Sequence, residues 1–345
     1  MLAVTLAASS HGERATFSYT PTDSSDGKSC IANGGCAFAG SDSALSLAEQ
    51  MQMPSAWVLP SLAAAVAVGF NLPNFGNAEL RIPRETLAAI FLGRIRQWAE
   101  LAHWNANLAG LDRNISLVVR SDSSALSEAF SSALSSFSSE WRSKVGPSSL
   151  PNWPRYDFRA EGDSGVAIQI KQTPYALGFI SHADAVTFRV PAALISNDVG
   201  DFVAPKMSGV QSAMDAFAVE LDEQGRKGHR MLFQSIVDPK NTSGAYPICM
   251  FTYLIFDAGG LGCDVLHDVM YLLYWAWTDP QAAAIATTHN LSPVSAAVRA
   301  ALITALWRLR CGGSSLLNNI LVNISPRCAS GTNVCDLVSK LKLQC

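Results

Sequence analysis

The run Ala56–Leu72, AWVLPSLAAAVAVGFNL, constrains this chain more than any other segment. Its 17 residues carry no charge. They are short for a helix that crosses a bilayer, which needs about 20 apolar residues, and long for one strand of about 3–10 residues. Pro60 and Ser61 interrupt the run. The reading that fits is a buried strand entered through a proline turn, with Val66–Asn71 as its best strand segment. The 345 residues are 49% hydrophobic and 15% charged. Sizeable cores are therefore affordable, and disorder or coiled coil is excluded as the main state. That length suggests two or three domains, or one two-lobed unit. A net charge of −3 gives no global field for nucleic acid or an acidic membrane, so no nucleic-acid partner is expected.

Strands and helices alternate around that run. Ala15–Tyr19 reads as a strand followed by the polar turn Thr20–Gly27. Met1–Ser10 reads either as a clipped signal peptide or as a first strand. Glu85–Leu92 reads as a short helix with Leu87, Ile90 and Phe91 on one face and Gly93 just past its end. Ile115–Val119 is a β-branched run ending at Arg120. Ser124–Trp141 reads as one helix, with Leu126, Phe130, Ala133, Leu134 and Phe137 at helical spacing. Ala176–Ile180 and Tyr246–Phe256 read as strands, and Val294–Leu309 as an amphipathic helix. This pattern implies an α/β fold with largely parallel sheets.

The eight cysteines are Cys30, Cys36, Cys249, Cys263, Cys311, Cys328, Cys335 and Cys345. None forms a C-x-x-C pair, which removes the ligand spacing of zinc ribbons and thioredoxin sites. An even count suits disulfides in an extracellular or lumenal compartment. Cys30 and Cys36 flank the Asn33–Gly35 turn and form the first expected pair; Cys249 and Cys263 form the second. N-x-S/T sequons stand at Asn114, Asn241, Asn290 and Asn323, and Pro follows the last two. Asn114 and Asn241 are thus the expected glycosylation sites.

The segment Val118–Phe130, VVRSDSSALSEAF, carries chemistry. A strand ends in Arg120 and a turn feeds a helix that starts near Ser124. Free N–H groups at a helix start favour an anion, and Arg120 offers a planar fork suited to an oxyanion. Asp122 stands where it can hold Arg120. From this segment alone, an ordinary serine cap with a surface Arg–Asp pair is the better reading.

Catalytic patterns are poorly matched. Gly162–Gly165, GDSG, mimics the surroundings of a serine nucleophile, but Val166 follows it and the chain reads α/β. There is no P-loop and no G-x-S-x-G. The six histidines, His11, His103, His182, His229, His267 and His289, show no H-x-x-x-H, so no metal site is expected. The run Tyr271–Trp277, YLLYWAW, reads as core.

Further strings carry a resemblance. Asp23–Gly27 (DSSDG) and Gly40–Asp42 (GSD) are followed by Val66–Pro73 (VAVGFNLP) and Leu87–Trp98 (LAAIFLGRIRQW). Then come Val118–Leu126, Gly162–Val166 (GDSGV), Ala176–Ile180 (ALGFI) and Asn290–Val294 (NLSPV). In this order and spacing, from about residue 15 to 310, the chain resembles the phosphate-binding proteins of bacterial ABC importers, within the type II periplasmic binding-protein fold. The resemblance implies two lobes with a hinge between them and an anion in the cleft. One lobe is expected from 1–72 plus 246–345, the latter ending in a Cys-rich tail, and the other from 73–245. It implies that Ser24 and Ser25 contact the anion from the first lobe and that Asp42 accepts the proton of hydrogen phosphate. Arg120, Ser124, Ala125 and Leu126 contact it from the second lobe, with Asp122 orienting Arg120. No cofactor is implied.

Two departures from that family stand out. Only 14 residues precede Ala15, so the family's first strand and phosphate loop are expected to be missing. Leu126 stands where the family has a threonine, which removes a hydroxyl and is expected to put a leucine at the cleft. Two functions follow. One is an extracellular or lumenal solute-binding protein for phosphate or a similar oxyanion, serving uptake or sensing, with a membrane receptor, a transporter or another extracellular protein as partner. The other is a degenerate binding fold reused as a structural or interaction module.

Overall fold

The computed structural model describes residues 2–6, 15–20, 22–76, 78–227 and 235–316. The chain opens with β1 (Leu2–Leu6) and β2 (Ala15–Tyr19), paired antiparallel as a separate sheet. Helix α1 (Ser24–Ala32), β3 (Ala39–Ser41) and α2 (Leu47–Gln52) lead into β4 (Ala56–Asn71). The middle of the chain holds β5 (Arg81–Ile82), α3 (Arg84–Phe91), β6 (Ser116–Arg120), α4 (Ala125–Phe137) and α5 (Ser139–Lys144). It continues through β7 (Phe158–Ala160), α6 (Gly162–Gln172), β8 (Ala176–Ser181), α7 (His182–Phe188), β9 (Leu194–Ser196) and β10 (Phe202–Val203). Helix α8 (Met207–Arg226), β11 (Cys249–Asp257), α9 (Cys263–Thr278) and α10 (Pro280–Thr288) follow, and then β12 (Ser292–Pro293), α11 (Ala296–Leu306), β13 (Arg310–Cys311) and β14 (Ser314–Ser315).

The apolar run is one strand of 16 residues, at about 3.3 Å per residue roughly 50 Å long. It does not turn at Pro60. The register against β11 shifts between Thr252 and Tyr253, and this irregularity absorbs a residue that has no N–H to give. Ser61 Oγ donates to the Thr252 carbonyl at 2.9 Å. The first part of β4 pairs with β11, from Ala56 opposite Asp257 to Ala65 opposite Cys249. The second part pairs with β8, from Val66 opposite Ser181 to Asn71 opposite Ala176. The order β3-β11-β4-β8-β6-β7 makes this the central strand.

Every pairing of β4 and β11 is antiparallel, which corrects the expectation of largely parallel sheets. Among the described residues, parallel ladders are confined to β8–β6, β6–β7 and β5–β9. The crossovers that parallel pairing needs are present there, because α4 and α5 join β6 to β7 and α6 joins β7 to β8. The strands that flank β4 come from distant parts of the chain, so no crossover dictates their direction.

Two further expectations change. The polar stretch after β2 turns only as far as Asp23, whose Oδ1 accepts from the Asp26 N–H at 2.8 Å and caps α1. The helix expected over Ser124–Trp141 is broken at Ser138, which is extended (φ −144°, ψ 123°). Ser138 Oγ accepts from the Trp141 N–H at 3.2 Å, so a side-chain cap competes with helix continuation. The restart buries Trp141 fully against Trp153, at 5.9 Å between ring centroids. Phe130 stacks on Phe179 at 4.3 Å in the same cluster. At the opposite end Trp57 stacks on Phe256 at 6.2 Å. Helix α8, within the segment 73–245, packs on α11 and on β4.

Cys30 and Cys36 form a disulfide. The expected Cys249–Cys263 pair does not exist: Cys263 is bonded to Cys311, and Cys249 is a buried free thiol. The reason is geometric. The nine-residue strand β11 begins at Cys249 and carries the chain roughly 30 Å away before Cys263. Burial pushes the Cys249 thiol pKa up. His11, His229, Asn323, Cys328, Cys335 and Cys345, with the rest of the tail, lie outside the described residues. Among the described residues no helix is long and apolar enough to cross a membrane.

The two disulfides close loops of very different length, with separations of 6 and 48 residues. Chain entropy then assigns about 2 kcal/mol to the short loop and about 4 kcal/mol to the long one. Urea unfolding of the Cys30→Ser/Cys36→Ser and Cys263→Ser/Cys311→Ser double variants should show the larger loss for the second. A second test concerns Gly178, where a Cβ would lie 2.8 Å from the Val118 carbonyl oxygen and 2.9 Å from Ile170 Cδ1. The neighbouring strand cannot yield as a side chain would, so Gly178→Ala should lower stability by about 1–3 kcal/mol in the same assay.

Candidate functional site

Strands β6 and β7 lie parallel, with Arg120 opposite Ala160 at their carboxyl ends. Each then feeds a helix, α4 after Ser124 and α6 after Glu161. Two helix starts and one guanidinium therefore converge where open α/β sheets place ligands. Arg120 is only 8% exposed. Its Nε donates to Asp122 Oδ1 at 2.9 Å, and Nη2 donates to Asp122 Oδ2. Nη1 donates to Asp163 Oδ1. Gly162 N–H donates to Asp122 Oδ1 at 3.1 Å, with Gly162 at φ +69°. A Cβ there would meet open space, so conformation rather than crowding requires glycine at this turn.

The charges respond to this packing. Burial disfavours the Arg120 cation, but its bonds to Asp122 and its attraction to Asp163 outweigh that and raise its pKa. The Arg120 hydrogen bond holds Asp122 below the usual carboxylate range. Asp163 is pushed up by burial, against the pull of Arg120 and with Asp184 adding repulsion.

Ser124 caps α4: its Oγ accepts from the Ser127 N–H at 3.0 Å and donates to Ser127 Oγ at 3.0 Å. That leaves Ala125 and Leu126 at the first helical positions, whose N–H groups have no carbonyl of their own helix to bond. The Leu126 side chain does not face the cleft as expected; it is 6% exposed and packs in the core. The face of α4 that lines a cavity against β11 is Ala125, Glu128, Ala129 and Ser132, as spacings of three and four dictate.

The second half of the site comes from α1 and the loop after β3. Ser24 Oγ accepts from the Asp42 N–H at 3.1 Å, and Asp42 Oδ1 accepts from Thr252 Oγ1 at 2.7 Å. Ser25 is exposed beside Ser24 in the first turn of α1. Gly27 lets α1 approach β3 closely, since a Cβ there would lie 3.2 Å from Ala39 Cβ and from the Gly40 oxygen. Lys28 is buried, and its Nζ donates to the Ala44 carbonyl at 2.6 Å and to Ser43 Oγ at 2.9 Å.

A cavity of about 560 Å³ lies between these halves. Lys28, Asp42 and Ser43 line one side, Ala125, Glu128 and Ser132 the other, and Met250, Phe251 and Tyr253 of β11 the floor. Of the expected ligand residues, Asp42 and Ala125 line the cavity. Ser24 stands behind Asp42. Arg120, Asp122 and Ser124 stand behind the first turn of α4, and Leu126 lies in the core. Sequence reasoning missed Lys28 and Asp163. Lys28 shares the buried face of α1 with Gly27 and Ile31, a spacing legible in the sequence. Asp163 follows β7 as Asp122 follows β6, a parallel visible only once the two strands are known to be neighbours.

Ser164, the serine of GDSG, sits in the first turn of α6 with Oγ 3.4 Å from Asp184 Oδ1, not in a nucleophile–base arrangement. No group of three or more metal-ligating side chains occurs among the described residues. Asn114 and Asn241 are exposed.

Comparison with known proteins follows the same lines. The sequence profile of the PBP superfamily domain matches residues 1–269. A phosphate-binding protein PstS of Methanocaldococcus jannaschii is 31% identical over 204 residues, covering 57% of this chain and 52% of its own length. The chain thus matches about half the length of that relative. The phosphate-binding protein PstS of Haemophilus influenzae is 24% identical over 263 residues, 75% of each chain. Among solved structures, a high-affinity periplasmic phosphate-binding protein bound with phosphate superposes with a TM-score of 0.63 at 21% identity, over 86% of this chain and 90% of that one. This likeness shows a two-lobed periplasmic-binding-protein fold.

The sign of the Asp122 shift sets a test. Its folded pKa lies below the ordinary value of 3.8, so its ion pair with Arg120 stabilises the fold above that pH and is lost as pH falls through the folded value. Asp122→Asn should therefore unfold more easily than wild type at neutral pH. The gap in urea midpoint should close as pH falls below that of the folded carboxyl. A gap that stays constant with pH would mean the loss is not electrostatic.

Proposed function

The chain belongs to the PBP superfamily, and from that membership we propose that it is a solute-binding protein for phosphate or a closely similar oxyanion. It performs uptake or sensing and no catalysis. The observation that carries this reading is a buried guanidinium, fixed by Asp122 behind the first turn of α4, with the Asp42 carboxylate lining the cavity on the other side. The names of the PstS relatives support phosphate as the ligand.

Binding draws on two donor sets. Arg120 and the N–H groups at the start of α4 hold the anion from one side. On the other side Oδ1 of Asp42 is taken by Thr252, which leaves Oδ2 to accept the proton of a hydrogen phosphate. Sulfate has no such proton and meets an unpaired acceptor with like charge. The lobes we propose are 1–72 with 246–345, and 73–245 apart from α8, whose packing on α11 and β4 counts it with the first. Ligand bridging the cleft favours the closed arrangement, and closure is the signal or the hand-off to a membrane receptor, transporter or extracellular partner. Two disulfides and the exposed sequons at Asn114 and Asn241 support an extracellular or lumenal, glycosylated protein.

Calorimetric titration at one fixed ionic strength tests the assignment. Phosphate should bind wild type, and Arg120→Ala should weaken it by about tenfold or more, the loss of a charge-assisted contact. Asp42→Asn should narrow the preference for phosphate over sulfate. Phosphate binding that survives Arg120→Ala unchanged places the site elsewhere.

A further inference from the structure

Resting on the phosphate reading above, we propose that Asp163 sets the charge this site accepts. It occupies Nη1 of Arg120, leaves the cation shared between two carboxylates, and so selects a singly charged oxyanion over a doubly charged one. Asp163 lies outside the residue set that the family resemblance implies.

The hydrogen-bond inventory comes first. A guanidinium has five N–H groups. In Arg120 the Nε–H and one Nη2–H go to Asp122, and one Nη1–H goes to Asp163. Two remain for a ligand. The same atoms that give Arg120 its orientation thus take three of its donors and more than cancel its charge.

The charge balance points the same way. At Arg120 one cation stands against two carboxylates, and the ligand approaches on the side where Asp42 and Glu128 line the cavity and where Lys28 is already paired with Glu49 at 3.6 Å. The starts of α4 and α6 supply partial positive charge of about half an elementary charge each. With Arg120, Asp122 and Asp163 these contributions come to about zero before a ligand enters, so a dianion is opposed about twice as strongly as a monoanion by the carboxylates that remain. Asp163 is itself faced by Arg120 from β6, Asp122 from the following loop and Asp184 from α7. Arg159, on β7, does not relieve it. That side chain reaches the Ser121 carbonyl at 3.5 Å and lies over the Tyr156 ring. Burial already raises the Asp163 pKa, so any protonation of Asp163 in mild acid acts in the same direction.

The fold makes this arrangement by register. Arg120 and Ala160 are paired residues of parallel strands, so the third residue beyond Ala160 falls beside the guanidinium. Gly162 supplies the positive φ that turns Asp163 inward while its own N–H bonds Asp122.

The test is titration of the full chain with inorganic phosphate at constant ionic strength, at about pH 5.5 and about pH 8, between which phosphate gains its second charge. Wild type, Asp163→Asn and Asp163→Glu are compared, with circular dichroism to confirm that each is folded. Wild type should bind more tightly in acid. Asp163→Asn should gain about tenfold at the higher pH and lose most of the pH dependence, since one unit of repulsion is gone. Asp163→Glu keeps the charge and should retain the wild-type slope. Binding that appears only in Asp163→Asn also supports the proposal. Identical affinities and slopes in wild type and Asp163→Asn overturn it while leaving the phosphate reading intact, as does a gain shown equally by Asp163→Glu. No phosphate binding by any of the three overturns both.

Discussion

The hydrogen-bond ladder of β4 is shared: residues 56–65 pair with β11 and residues 66–71 with β8. One continuous backbone therefore belongs to both halves of the sheet. Through β11 it carries β3 and the loop that holds Asp42; through β8 it carries β6 and Arg120. At the changeover Val66 N–H donates to the Ile248 carbonyl at 2.8 Å, and the buried Tyr246 hydroxyl donates to the Val66 carbonyl at 2.8 Å. The return of the chain is thus tied to the same residue at which the strand changes partner. A strand buried along most of its length holds the two site halves in register.

The Arg120 cluster is best understood against its cost. A buried guanidinium loses its hydration, and carboxylate partners only offset that loss when geometry and hydrogen bonds are good. Such clusters are weak stability devices, and a strongly apolar replacement would serve a core as well. Here the guanidinium stands at two helix starts beside a cavity, and its neighbours have pKa values moved in opposite directions, Asp122 down and Asp163 up. Environments that separate like groups in this way are characteristic of sites that handle charge. Opposite them, Lys28 is already committed to Ser43 and Ala44, so the proposed anion recognition falls mainly to Arg120.

Local physical chemistry made much of this readable in one dimension. The apolar pattern of Leu87–Phe91, the β-branched run before Arg120 and the serine cap at Ser124 each depend on near neighbours in the chain, and each appears as α3, β6 and α4. Likewise Cys30 and Cys36 are close because six residues cannot separate them far. The errors lie where distant segments compete. Ser138 ends a helix that periodicity would continue, since its own hydroxyl offers the backbone another partner and the break lets Trp141 reach the core. Leu126 reads as a cleft residue from its place in the motif, yet the helix phase turns it inward.

By itself the sequence determined the α/β class, the strand, turn and helix around Arg120–Ser124 and the local disulfide, because these rest on propensities, caps and short-range spacing. Only the tertiary structure decided the antiparallel pairing of β4, the bond from Cys263 to Cys311 and the approach of Asp163 to Arg120. Each of those brings together residues more than 40 positions apart, and no local preference encodes such a distance. Strand register and core packing encode it, and they exist only once the whole sheet has formed.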